Sequence, residues 1–300
     1  MKKIVAILLA LLFILCACSS SAGKMVALIV GGDSDSQIGA NAESEYALWS
    51  GKNRTPHSDS AVLKEMQIDF DGKTYSGVYD TSYVDMGLNY VKDAYNFDGG
   101  SFKVNRKSGK LAEMNLRSNE IVGNKTFEEC TEIAQKLAEK YIDISEYEFT
   151  KEEVNINSVH IENMKDAIYN YRYYKIIAGT ETTDLLSIII GASGEIIYFE
   201  DRTWSEEEEK QTELQSTVET IESYCSENAL KKVEDKLKSL YPKYETCTLD
   251  NKTVVCLENG KLGVLYGMIV RFKTEQISET EYSSDGVYEY VLVANSDEIM

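Results

Sequence analysis

The chain has 300 residues, with 50 acidic and 31 basic side chains and a formal net charge of −19. This acid excess argues against nucleic acid as a partner, because the phosphates of nucleic acid require lysine and arginine. It also argues against docking on anionic lipid headgroups. A solvated surface explains the excess of acids more simply than a cationic partner does. With 43% apolar residues, 10% aromatic residues and two prolines, the chain can bury a core and is not broadly disordered.

The N-terminus has the layout of a secretory signal. Lys2 and Lys3 precede an apolar run from Ile4 to Cys18, and small polar residues follow that run. The run has 15 residues, which is fewer than the ~20 that span a bilayer as a helix. The pattern therefore predicts a signal peptide over residues 1–17 rather than a permanent transmembrane anchor.

The end of this run, LCAC at residues 15–18, resembles a bacterial lipobox. In lipoproteins with that motif, the cysteine after the small residue is acylated and becomes the first mature residue. The resemblance implies that Cys18 carries lipid, palmitate included, and holds the protein on the extracytoplasmic face of the cell membrane, since two or more acyl chains anchor stably. An ordinary cleaved signal is the alternative, and a redox Cys-x-Cys pair is a third reading.

The next segments differ in their patterning. Residues 18–60 are mostly polar with little periodicity, which predicts a tether and a flexible segment. Residues 61–119 predict a β-rich N-terminal unit. Within it, Asp71-Gly72 lies between strand-like runs and is a good hairpin signal.

Two amphipathic helices are predicted 100 residues apart. In residues 126–141, Thr126 is the N-cap, Glu129 completes a capping box, and apolar residues recur at helical spacing. Residues 226–241 repeat the same apolar offsets, with Ser226 as the cap. A further helix, over residues 204–225, is predicted to connect the two regions.

Strand signals follow each predicted helix. Residues 185–201 predict a hairpin with its turn at residues 192–194, and the same strand-turn-strand pattern recurs at residues 102–114 and 291–300. We expect about four antiparallel strands after each helix. A helix with one apolar face on a sheet with one apolar face is a two-layer arrangement, so the predicted fold class is α+β, with tandem units of one helix packed on an antiparallel β-sheet.

This order of helix, meander and Ser-Gly hairpin resembles the PepSY family, small domains found in metalloprotease propeptides and in many bacterial secreted lipoproteins. Residues 126–200 match best and residues 226–300 next, whereas residues 69–116 share only the last hairpin. The resemblance implies PepSY/cystatin-like units at residues 120–203 and 226–300, the second cut short at its last strand. It also implies a non-catalytic binding or inhibitory module, directed in some relatives at a peptidase, and it assigns no functional residue.

Two features outside the signal are candidate sites. If a turn lies at Asn251-Lys252, Cys247 faces Cys256 across a hairpin and a disulfide can form; packing as two unpaired thiols is the equal alternative. The second feature is a row of tyrosines that alternate along one strand face, Tyr169, Tyr171 and Tyr173. Exposed, this row could bind glycans or peptides; a structural role on a half-buried face is the preferred interpretation.

Chemistry-bearing motifs give no catalytic prediction. His57 and His160 lie in no metal or nucleophile motif, and the abundance of acids removes the specificity of any carboxylate pair. We therefore predict no enzyme activity, no cofactor and no metal site. The expected function is a lipoprotein that binds another envelope protein, for example a peptidase, through sheet edges or exposed tyrosines. A small-ligand or glycan-binding lipoprotein and an unrecognised hydrolase are the alternatives.

Overall fold

The computed structural model describes residues 45–48, 62–85, 87–88, 90–117, 121–155, 167–205, 215–257, 260–273, 275–276, 282–283 and 286–295. The chain divides into two compact units, one over residues 54–213 and the other over residues 1–53 and 214–300.

Strands outnumber helices throughout the described residues. The strands are β1 (Tyr46–Leu48), β2 (Glu65–Phe70), β3 (Lys73–Tyr83), β4 (Lys92–Phe97), β5 (Gly100–Asn105), β6 (Leu111–Leu116), β7 (Glu148–Asn155), β8 (Ala167–Ile177), β9 (Thr180–Gly191), β10 (Ile196–Asp201), β11 (Tyr244–Cys256), β12 (Leu262–Phe272), β13 (Glu275–Gln276), β14 (Tyr282–Ser283) and β15 (Gly286–Val293). The helices are α1 (Phe127–Ala138), α2 (Gln215–Tyr224) and α3 (Glu227–Leu240), with a 3-10 turn at Ile144–Glu146.

The unit over residues 54–213 contains one antiparallel sheet. Its strands lie in the order β7-β8-β9-β10-β6-β5-β4-β3-β2. Helix α1 packs on one face of this sheet, against β8 and β9. The core lies between them, and its fully buried large side chains include Phe102, Met114, Tyr169, Tyr171, Leu186, Ile188 and Phe199.

The predicted fold class, tandem α+β units of one helix on an antiparallel sheet, is wrong. Strand β6 pairs with β10, with Met114 opposite Phe199 and Glu113 opposite Glu200. The strands of residues 62–117 and those of residues 148–201 therefore form a single sheet rather than separate units. Hairpin and helix signals are local, whereas this pairing joins segments far apart in the chain, and no local pattern encodes it.

Helix α1 begins where the capping pattern predicts. The Thr126 hydroxyl accepts a hydrogen bond from the backbone N–H of Glu129, and the Glu129 carboxylate accepts one from the N–H of Thr126. The helix buries Cys130, Ala134 and Leu137 against the sheet. Both the helix and its capping box are confirmed.

Two hairpin turns show how well local signals place a turn. Asp71 and Gly72 have φ values of 46° and 76°, as a type I′ turn requires at both central residues, so the hairpin predicted there is confirmed. Between β8 and β9, Ala178 and Gly179 have φ values of 50° and 70°. That turn leads directly into β9, which begins at Thr180.

The second unit carries a smaller antiparallel sheet in the order β1-β15-β12-β11. Helix α3 begins after Ser226, whose hydroxyl accepts a hydrogen bond from the N–H of Ala229, and this confirms the predicted helix. Helix α2 precedes it and packs against β12. The third predicted hairpin, over residues 291–300, lies partly outside the described residues.

The predicted hairpin between Cys247 and Cys256 is wrong. Both cysteines lie on the continuous strand β11, where Cys247 faces Val270 and Cys256 faces Leu262 across β12. The strand has a register shift at Asn251 in place of a turn. At a rise of about 3.3 Å per residue the two Cα atoms are roughly 30 Å apart, and neither cysteine is in a disulfide. This geometry does not allow the disulfide.

The β6–β10 pairing can be tested with a double-mutant cycle. Phe199→Ala is expected to lower the free energy of unfolding by about 3–5 kcal/mol, because the ring is fully buried. Met114→Ala removes the side chain opposite Phe199. The loss of unfolding free energy in the double variant should therefore differ from the sum of the two single losses by at least about 0.5 kcal/mol. Chemical denaturation measures each variant. Leu237→Ala, in the other unit, is the matched control and should add simply; additivity between Phe199→Ala and Met114→Ala would contradict the pairing.

Candidate functional site

The larger sheet carries charged side chains on the face opposite α1. Since successive side chains point to opposite faces, Lys103, Glu113 and Glu200 point away from the core that contains their neighbours Phe102, Met114 and Phe199. Lys103 faces Glu113 across β5 and β6, and Glu113 faces Glu200 across β6 and β10. The two glutamates are nevertheless only 7% and 6% exposed.

These residues belong to an ionic group around the buried Lys92, which we call the Lys92 cluster: Asp85, Lys92, Lys103, Glu113, Glu200 and Arg202. Lys92 is fully buried at the start of β4. Its Nζ lies 2.6 Å from Asp85 Oδ2, 3.2 Å from Glu200 Oε1 and 3.6 Å from Glu113 Oε2. One ammonium thus bridges three carboxylates that come from separate parts of the chain.

Two further cations complete the charge balance. Arg202 Nη2 lies 2.6 Å from Glu200 Oε1, and Lys103 Nζ lies 2.6 Å from Glu113 Oε1. Three carboxylates therefore face three cations in the cluster. Pairing of this kind is what makes buried charge tolerable, and removal of one partner from a buried pair typically costs about 3–5 kcal/mol.

The electrostatics hold these groups in their charged forms. Burial disfavours a charged carboxylate, but Arg202 and Lys92 outweigh that effect and lower the pKa of Glu200 to about 2. Burial likewise disfavours the Lys92 ammonium, but Glu200 and Asp85 outweigh it and raise the pKa of Lys92. Burial raises the pKa of the nearby Tyr90 to about 12. A general acid or base works best with a pKa near the operating pH, so these groups are suited to stabilising the sheet.

The carboxylates of Asp85, Glu113 and Glu200 also lie close enough together to suggest a metal site, since one oxygen of each falls within 4.8 Å of the others. The Lys92 ammonium, however, already contacts all three. A divalent cation would have to displace this charge, so the donor set fits an internal ammonium better than a metal.

The tyrosine row is buried. Tyr169, Tyr171 and Tyr173 share the face that packs under α1, and none is more than 2% exposed. The hydroxyls of Tyr169 and Tyr171 each donate a hydrogen bond of 3.3 Å, to the carbonyls of Lys125 and Phe127 at the start of the helix. The exposed-row hypothesis is wrong, and the preferred structural interpretation is the correct one. The three tyrosines are buried because helix α1 covers this part of the sheet.

Within the described residues, strand β7 lies at one edge of the larger sheet, and we call residues 148–152 the β7 edge. The strand pairs along its length with β8, and residues 148–152 make no further backbone hydrogen bond to the described part of the chain. The side chains of residues 148–152 are exposed. Among them is the ring of Phe149, which is 39% exposed and packs against the ring of Tyr173 in a tilted arrangement, with 4.9 Å between ring centroids.

The Lys92 cluster has only a weak signal in the amino-acid sequence. Its visible trace is a strand, KDAYNF, that opens with Lys92 and Asp93 although four of its residues are buried. Charges inside a buried strand need partners, but those partners can be found only once β6 and β10 are known to pair. Other predicted residues, Cys18, His57 and His160, lie outside the described residues.

Comparisons with known proteins give little information. No family model matches the chain, and no curated protein matches it. Among solved structures, the Bacillus megaterium YpeB C-terminal domain matches with 9% sequence identity and a TM-score of 0.29, over 68% of this chain and 86% of that one. At that TM-score the likeness carries no argument about fold or function, and the resemblance to PepSY domains stays a prediction. Among the described residues, none of the helices is long and apolar enough to cross a membrane.

The Lys92 cluster predicts a specific dependence of stability on pH. Because the folded-state pKa of Glu200 is lowered from 4.5 to about 2, its stabilisation is present above pH 4.5 and is lost as the pH falls toward 2. Each pKa unit corresponds to about 1.4 kcal/mol. Glu200→Gln should therefore lower stability at pH 7 and flatten the decline in unfolding free energy between pH 5 and pH 2. Denaturant titrations across that range measure both effects.

The matched control is Glu128→Gln, because Glu128 lies exposed on α1. This variant should keep the wild-type pH dependence. If Glu200→Gln also kept it, the account of the cluster would be contradicted.

Proposed function

We propose that this chain is a non-catalytic, lipid-anchored module of the cell envelope that binds an extended segment of another envelope protein at the β7 edge. The observation that carries the proposal is the state of β7. Within the described residues, residues 148–152 of this strand pair with β8 on one side only, and their side chains are exposed.

An edge strand of this kind is a template for a further strand. In an antiparallel pair, every second residue of β7 directs its N–H and C=O groups away from β8. An incoming strand satisfies those groups, which supplies affinity, while side-chain contacts supply specificity. The register with β8 is unbroken from Glu148 to Asn155, so β7 presents these groups on a regular ladder.

The charges on β7 support regulated pairing over uncontrolled aggregation. Proteins protect exposed edges with charged side chains, and β7 carries Glu148, Lys151 and Glu152 in exposed positions. Such charges disfavour pairing with an arbitrary strand, but they allow pairing with a partner strand that carries complementary charges. The PepSY resemblance makes a peptidase of the envelope one candidate for this partner.

The non-catalytic part of the proposal draws support from the Lys92 cluster. Its acids are paired with cations, and the pKa of Glu200 lies near 2, so Glu200 is a poor candidate for a general acid near neutral pH. The glycan-binding alternative drew its main support from an exposed tyrosine row, and that row is buried.

The anchoring part of the proposal rests on the lipobox at residues 15–18. Lipid on Cys18 would keep the β7 edge within reach of proteins of the same membrane. Fractionation of cells that make Cys18→Ser would test this part: the variant should lose metabolic palmitate label and leave the membrane fraction. Retention of both would exclude Cys18 as the lipid site.

Site-specific photocrosslinking tests the binding function. A photoactivatable amino acid at Thr150, an exposed residue of β7, should form an adduct with another envelope protein in the cells that make this chain. The control position is Gln67, an exposed residue of the opposite edge strand β2. The proposal is rejected if Thr150 gives no protein adduct, or if Gln67 gives the same adduct with equal yield.

A further inference from the structure

Resting on the proposed function, we infer the chemistry of the segment that binds at the β7 edge. It is an extended strand with basic side chains opposite Glu148 and Glu152 and an apolar side chain against Phe149. These three residues are exposed on β7, and their register with β8 assigns each to a face of the sheet.

The faces follow from the residues opposite each position. Phe149 lies opposite Tyr173, whose side chain is in the core under α1. Phe149 therefore lies on the α1 face, as does Lys151, whose Nζ lies 4.8 Å from the ring centroid of Phe127. By alternation, Glu148 and Glu152 share the other face. A strand added to β7 meets two acids on one face and an aromatic ring on the other.

The two acids are available to a cation. Glu148 and Glu152 form no ion pair within the described part of the chain, and the residues opposite them on β8 are Tyr174 and Asn170. The cation that lies between these positions, Arg172, already pairs with Glu181 at 3.1 Å. Opposite charges across strands stabilise pairing, and the chain's net charge of −19 favours approach of a basic segment.

The ring of Phe149 supplies the apolar half of the contact. It packs against the rings of Tyr173 and Tyr171, with centroid distances of 4.9 and 6.4 Å, yet remains 39% exposed. An aliphatic or aromatic side chain on the added strand would cover this remaining surface, and burial of apolar surface favours association.

The same charges disfavour a second copy of the chain as the occupant. If two β7 strands paired antiparallel about Thr150, Glu148 of each copy would face Glu152 of the other. Like charges directly opposite one another destabilise a strand pair. A basic segment removes this repulsion, and a second copy adds to it.

Strand β2 at the opposite edge provides a matched comparison. It also has two exposed acids four residues apart, Glu65 and Asp69. The Asp69 carboxylate, however, accepts a 2.6 Å hydrogen bond from the hydroxyl of Thr74, and the apolar Met66 and Ile68 on the other face are half-buried. The two edges thus share the acid spacing but differ in the exposed ring.

A defined peptide tests the inference on the full-length protein in detergent. The probe is a capped, fluorescent eight-residue peptide with lysine at its second and sixth positions, leucine at its fifth and threonine elsewhere. Antiparallel to β7, it sets the lysines opposite Glu152 and Glu148 and the leucine opposite Phe149. Fluorescence anisotropy should show binding that weakens with added salt.

Charge reversal gives the decisive comparison. The double variant Glu148→Lys with Glu152→Lys should bind the lysine peptide at least about tenfold more weakly and should prefer the peptide that carries glutamate at those positions. The control variant, Glu65→Lys with Asp69→Lys, makes the same charge change on β2 and should bind as wild type. Absence of binding by the wild type, or loss of binding only in the β2 variant, would overturn the inference.

Proline variants separate this inference from the proposed function. Adjacent residues direct their N–H groups to opposite sides of a strand, so one of Thr150→Pro and Lys151→Pro removes an outward donor while the pairing with β8 is kept. The proline variant that keeps the pairing with β8, and therefore folds, should no longer bind the lysine peptide. If this variant loses binding and charge reversal has no effect, β7 binds strands without regard to charge, and the inference fails while the proposed function stands.

Discussion

The pairing of β6 with β10 is the contact on which the larger unit depends. It sets Met114 against Phe199 on the face under α1 and Glu113 against Glu200 on the other face. The first pair joins two stretches of core, and the second brings together carboxylates that Lys92 then bridges. Without this pairing, β6 would lose its neighbour β10, and the buried ammonium of Lys92 would lose the carboxylate of Glu200.

The buried charges explain why this sheet has a defined register. A one-residue slip of β10 along β6 would move Glu200 to the apolar face and Phe199 to the ionic one. Either change leaves an unpaired charge in a buried position, at a cost of several kcal/mol. The Lys92 cluster therefore penalises alternative registers as well as stabilising the native one. A sheet with a defined register also fixes β7 as an edge strand, with Phe149 on one face and Glu148 and Glu152 on the other.

Local features of the fold were predictable from the sequence, and long-range ones were not. The capping residues Thr126 and Ser226 and the turn at Asp71-Gly72 act through contacts within a few residues, so their patterns are sufficient. The tandem arrangement failed because it assumed that each helix takes only the strands that follow it. The prediction of an exposed tyrosine row was wrong for a related reason, because the exposure of Tyr169, Tyr171 and Tyr173 depends on where α1 packs. In the same way, Glu148 becomes a candidate binding residue only once β7 is known to lie at the edge of the sheet.

Native-state hydrogen exchange tests the single sheet most directly. If β6 and β10 are paired as the structure shows, their mutually bonded amides exchange only through the large opening that also exposes β8 and β9, the strands on which α1 packs. The account predicts equal, high protection for all four strands and the same response to denaturant. Early exchange of β6, with residues 62–117 opening on their own while residues 167–201 stay protected, would contradict it.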